Sequence, residues 1–135
     1  NTVEELTSKN PDEYLQTKYI NELRSMVYLN TPDGFKGTPL PKVAQQSSIE
    51  DFLVDPEKKT VSYVGNYFDF VVELGPLGAN PGGVLSDFNS ESLSFESHKS
   101  FNLPKRTSSR EVQELNSNQL VIATQNSFVF LVTSK

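Results

Sequence analysis

Residues 11–29 read PDEYLQTKYINELRSMVYL. Asn10, just before them, is a helix-capping residue type and Pro11 suits the first helical position. Asp12 and Glu13 complement the positive end of a helix dipole, while Lys18 and Arg24 lie nearer the negative end. Leu15, Tyr19, Ile20, Leu23, Met26 and Val27 recur at helical spacing and make one apolar face. The pattern predicts an amphipathic helix. Ahead of it, Thr2 and Glu5 have capping-box spacing, which predicts a short helical turn through VEELTS.

Beyond this segment, NTPDGFKGTPLPK (30–42) holds three prolines and two glycines and reads as a surface connector, turning most sharply at Pro32, Asp33 and Gly34. SSIEDFL reads as a helical turn capped by Ser47 or Ser48, and DPEKK as a reversal. From Thr60 the character changes. TVSYV and YFDFVVEL are rich in β-branched and aromatic residues, and Gly65-Asn66 between them is a two-residue hairpin signal, with a single bulged strand as the alternative. The Ser/Asn scatter from Ser86 to Ser100 reads as a mobile excursion. EVQEL, QLVIATQ and FVFLVTS, joined at Asn116-Ser117-Asn118 and at Asn126-Ser127, read as a meander. A helix first and strands later predict one α+β domain over residues 1–135, its N-terminal amphipathic helix packed on a meander-rich antiparallel β-sheet.

Composition bounds the chemistry. The chain has 135 residues with 36% hydrophobic side chains, and nine Phe and five Tyr supply bulk for one modest core. This is the composition of a soluble globular domain. Without Cys there is no disulfide framework, thiolate nucleophile or sulfur-ligated metal. The net charge of −5 argues against a general nucleic-acid binder, because phosphate-backbone affinity rests on Lys and Arg. No apolar run is long enough to cross a bilayer, and the start at Asn1 suggests a processed chain.

Motifs for catalysis are scarce. ELGPLGANPGGVLSD (73–87) carries four glycines, but a phosphate-cradling loop needs free N–H groups opening a helix, normally with a Lys. Pro76 and Pro81 each remove an N–H and no Lys follows, so a long turn is expected. His98 is the only histidine and no carboxylate has recognisable ligand spacing to it, so neither a metal nor a cofactor is expected. No Ser lies in a nucleophile-elbow motif, and the expectation is a non-enzyme. Asp69 interrupts the apolar run YFDFVVEL. Strict alternation puts it on the wetter face with Tyr67 and Val71.

The charge distribution is more informative. HKSFNLPKRTSSR, from His98 to Arg110, holds Lys99, Lys105, Arg106 and Arg110 and no acidic residue. A basic strip on an acidic body can steer a protein onto an acidic partner. Phe101 and Leu103 interleave with the charges and would be its apolar anchors.

The turn Asp33 to Lys36 (DGFK), with Pro39, Pro41 and Lys42 after it, resembles the PsbP family of extrinsic photosystem II subunits. NQLVIATQNSFVFLVTS, with Gln119, Leu120, Val121, Ala123 and Thr124, is similar to that family's penultimate strand and the turn after it. The resemblance implies an α/β sandwich in the thylakoid lumen. It also implies docking without catalysis, through basic residues, onto membrane-bound subunits, stabilising ion retention at the oxygen-evolving site.

Together these readings predict a non-enzymatic accessory or assembly subunit of a larger protein complex with an acidic docking surface. Contact would be made by His98, Lys99, Phe101, Lys105, Arg106 and Arg110, with Asp33 and Lys36 of the turn, and any membrane contact would pass through partner subunits. One alternative is a ligand-binding domain or enzyme with a pocket between helix and sheet, lined by Tyr19, Tyr63, Tyr67 and Asp69. A further alternative is the exposed part of a membrane-anchored or filament-forming chain.

Overall fold

The computed structural model describes residues 18–68, 75–125 and 128–133. Among them are nine strands, and the single helical element is a 3-10 turn at Lys42–Gln45. Strands β1 (Met26–Thr31) and β2 (Gly34–Pro39) form a two-stranded sheet. Strands β3 (Ile49–Asp55), β4 (Thr60–Gly65), β5 (Gly82–Asn89) and β6 (Ser94–Ser100) form a four-stranded sheet in chain order. Strands β7 (Ser109–Asn116), β8 (Gln119–Thr124) and β9 (Val129–Thr133) form the third. Every pairing is antiparallel. The described chain is thus all-β, and the α+β expectation is corrected.

The correction turns on residues 18–29. Tyr19, Ile20 and Leu23, three members of the expected helical face, are 83%, 76% and 85% exposed. A helix draws most of its stability from burying such a face, and these three residues are not buried against any described element. Arg24 instead folds back on Glu22, its backbone N–H and its guanidinium both donating to that carboxylate. Residues two apart do not face each other on a helix. Met26 to Leu29 then enter β1. Residues 11–17 and the turn through VEELTS lie outside the described residues.

The expected connector is the reason β1 exists. Pro32-Asp33 is a two-residue loop, with Thr31 paired to Gly34 and the Thr31 hydroxyl donating to the Gly34 carbonyl at 2.6 Å. Gly34 sits at φ +107°, a conformation that side chains resist, so the glycine lets β2 start immediately after the turn. Gln45 ties this hairpin to the 3-10 turn: its amide accepts from Ser25 N–H and donates to the carbonyls of Ser25 and Leu40.

SSIEDFL, read as a helical turn, contributes instead to β3. Alternation explains it: Ile49, Asp51, Leu53 and Asp55 are half-buried while Glu50, Phe52 and Val54 are exposed. DPEKK is the expected reversal, with Asp55 accepting from the Lys58 N–H at 3.0 Å. The 86–100 segment is the β5–β6 hairpin rather than an excursion. Phe88 and Phe95 pair across it with ring centroids 4.9 Å apart, and Asn89 caps its loop by accepting from Glu91 and Ser92 N–H. Gly65-Asn66 is not a hairpin turn. The chain runs on past β4, with Gly65 N–H donating to the Pro81 carbonyl, to an isolated antiparallel Tyr67–Leu77 bridge, and β5 pairs antiparallel with β4.

The meander over β7, β8 and β9 forms as expected, with Asn116-Ser117-Asn118 at its first turn. Asn126 and Ser127 lie outside the described residues. The two larger sheets enclose one cluster around Val64, Phe101, Val112, Leu120 and Ile122. A second cluster on the other face of the four-stranded sheet gathers Tyr63 and Leu85 under Ala44. β3 lies against β7. There the Asp51 carboxylate accepts the Val112 N–H at 2.9 Å, so a side chain closes part of an open strand edge.

Candidate functional site

The basic segment divides between core and surface. Lys99 is exposed on β6 opposite Val84, and Lys105 and Arg106 are exposed at a turn closed by Thr107 N–H to the Pro104 carbonyl at 2.9 Å. None of these three cations has an ion-pair partner among the described residues. Asp33 and Lys36 are also exposed, on the separate β1–β2 hairpin.

Other members of the segment are engaged internally. Phe101 is 6% exposed within the interlayer core and Leu103 packs against the same cluster, so neither presents an apolar anchor to solvent. Arg110 donates to Glu50 Oε2 at 2.8 Å and to Gln125 Oε1, and its guanidinium stands 4.9 Å from the Tyr67 ring centroid. His98 is half-buried with Nε2 3.1 Å from the Tyr63 hydroxyl. Burial holds its pKa below the ordinary histidine value.

An apolar contact is nonetheless supplied beside the cations. A cleft of about 470 Å³ lies between the Pro104–Ser108 segment, including Arg106, and the β8–β9 residues Thr124, Phe128 and Phe130. Phe130 packs on the interlayer core while Phe128 is 69% exposed. The cleft is therefore lined by two aromatic residues and by one of the exposed cationic residues. The β-branched and aromatic run FVFLVTS was the sequence signal for a strand holding Phe130. Its proximity to Arg106 had none, because it depends on how the layers meet.

The floor is fixed by buried asparagines. Asn66, fully buried at φ +76°, donates to the Thr107 carbonyl and accepts the Asn80 N–H, both at 3.0 Å. Its own carbonyl accepts from the Ser108 hydroxyl. Asn80 in turn donates to the Val43 carbonyl at 2.6 Å and to the Tyr63 oxygen at 2.7 Å. These bonds join the end of β4, the loop before β5 and the segment before β7.

The glycine-rich loop runs into a strand. Its N–H groups on Leu77, Asn80 and Gly82 are already donated to Tyr67, Asn66 and Asn80, which leaves those donors unable to cradle a phosphate. The pocket between helix and sheet loses its basis with the helix: Tyr19 is solvent-exposed, Tyr63 is core, and Tyr67 lies under Arg110. Asp69 lies outside the described residues. A second depression, of about 540 Å³, is bounded by Lys59, Asp87, Glu91 and Glu96, yet no group of three or more His, Asp or Glu among the described residues is placed to hold a metal ion.

The α/β sandwich implied by the PsbP resemblance is at odds with the all-β layers, and the photosystem II and thylakoid-lumen expectations find no support. In comparisons with family models, curated proteins and solved structures, nothing matches this chain.

Proposed function

We propose that this chain is a non-enzymatic accessory subunit that docks on an acidic surface of a larger protein assembly through Lys99, Lys105 and Arg106. The observation that carries the reading is the pairing state of the basic segment. Arg110 spends its charge internally on Glu50, whereas these three cations face solvent on a chain of net charge −5 and have no ion-pair partner among the described residues. Unpaired surface cations can meet a partner without an internal ion pair being broken, and they raise the rate of encounter with an acidic one. The cleft beside Arg106 takes the anchoring role expected of Phe101.

The test is affinity capture from the native source, comparing the chain with a K99E/K105E/R106E variant at low and moderate salt. Loss of one stoichiometric partner from the variant supports docking. Equal recovery by both proteins, or recovery by neither, overturns it.

A further inference from the structure

The third sheet ends on β9, with no strand beyond it among the described residues. The Thr124 N–H donates to the Phe128 carbonyl at 3.2 Å, which makes these residues a hydrogen-bonded pair. In an antiparallel ladder such pairs alternate, and Ile122–Phe130 and Leu120–Val132 follow in register. The backbone groups of Val129, Leu131 and Thr133 therefore point away from β8, along an open edge. Open edges are normally guarded by charge, bulges or cover. The β6 edge carries Glu96, His98 and Lys99, and β7 has its Val112 N–H taken by Asp51. β9 reads VFLVT, with no charge, and its Val129 and Leu131 side chains are 66% and 63% exposed.

The geometry points to strand addition: an extended acidic peptide of a partner protein pairs with β9 and places an apolar side chain in the cleft between Phe128 and Arg106. The inference rests on the docking role proposed above, which supplies an acidic partner. Backbone bonds to Val129, Leu131 and Thr133 give affinity without sequence demands, and alternate side chains read the cleft. Charge selects the occupant. An acidic residue next to the inserted side chain meets Arg106 and Lys105, whereas a second copy pairing through its own β9 brings no carboxylate on that strand to either cation.

The experiment selects a phage-displayed library of random nine-residue peptides on the immobilised chain at low salt, then synthesises the most enriched peptide. Enrichment of alternating apolar residues with Asp or Glu is expected. Binding of that peptide should weaken by about tenfold or more in Arg106→Glu and in Phe128→Ala. In the unaltered chain at saturating peptide, amide exchange at Val129 and Leu131 should slow by roughly tenfold or more. That measurement does not depend on how the variants fold.

Absence of acidic enrichment overturns the inference. So does peptide binding without protection of Val129 and Leu131, although docking would then stand. Protection without peptide, together with a dimer in sedimentation, would assign the edge to a second copy and overturn it as well. Conversely, β9 protection by peptide alongside charge-independent partner capture would remove the docking reading and keep strand addition.

Discussion

The side-chain carbonyl of Asn66 accepts the backbone N–H of Asn80 at 3.0 Å, inside the protein and across fourteen residues of chain. The same side chain donates to the Thr107 carbonyl, so one amide holds both the loop before β5 and the wall of the cleft. Asn66→Ala leaves a buried donor and a buried acceptor unpaired and keeps a side chain at positive φ. It is expected to cost about 2–4 kcal/mol in a denaturant titration. Asn66→Gly removes the conformational part of that cost and should recover up to about 1 kcal/mol.

Ser109 makes the opposite case. It is fully buried, yet its hydroxyl has no hydrogen-bond partner among the described residues. Ser109→Ala removes that desolvated group without breaking a bond, so stability should stay level or rise by up to about 1 kcal/mol. A fall in the denaturation midpoint would show that the hydroxyl is paired in solution.

Gly65 and Gly34 separate two kinds of glycine. A Cβ on Gly65 would lie 2.0 Å from the Ser48 carbonyl oxygen, where both partners are backbone. A Cβ on Gly34 meets nothing within 4 Å, and only its φ of +107° resists. Gly65→Ala is therefore expected to lose about 3 kcal/mol or more, and Gly34→Ala about 1–2 kcal/mol. Thermal unfolding of the two variants side by side tests the order.

His98 should make stability depend on pH. The Tyr63 oxygen accepts from Asn80, which leaves its hydrogen free to donate to Nε2 of a neutral His98 ring. Burial keeps the folded pKa below the unfolded value of about 6.5. Between those two values the unfolded chain binds more protons, so stability rises with pH. The contribution is complete above about 6.5 and is lost as pH falls through the lowered folded value. Denaturation midpoints from pH 7.5 to 5 should fall in the parent chain and flatten in His98→Gln.

The parts of the fold legible in sequence were those set locally. Ser117-Asn118 and the Pro56–Lys59 reversal announce themselves by residue type, and the β-branched and aromatic runs QLVIAT and FVFLVT announce β8 and β9. The 11–29 segment shows where local pattern stops. Its spacing fits a helix, but spacing says nothing of what covers the face, and Tyr19, Ile20 and Leu23 are left exposed. The Ser/Asn tract at 86–100 misleads for the converse reason, since Leu85, Phe88 and Phe95 supply the contacts that its polar residues hide. At the candidate site the cations were visible and their roles were not. Separating Arg106 from Arg110 requires Glu50 and Gln125, which no spacing places near Arg110.

That separation gives the sharpest prediction. The side chains of Arg110 and Glu50 are each only about a quarter exposed, so their ion pair is screened less than a fully exposed surface pair, and the guanidinium also covers Tyr67. Arg110→Ala should lower stability by about 1–2 kcal/mol, through the lost pair, the lost ring contact and the packing of the aliphatic stem. Arg106 has no such partners among the described residues. Arg106→Ala should leave stability within about 0.5 kcal/mol and weaken docking, the loss shrinking as salt rises and screens the contact. Urea titrations of both variants, set beside salt-dependent binding of the captured partner, separate the roles. If Arg110→Ala abolished docking at unchanged stability, its internal pairing would have to open on contact, and the basic strip would regain the fourth charge that its sequence promised.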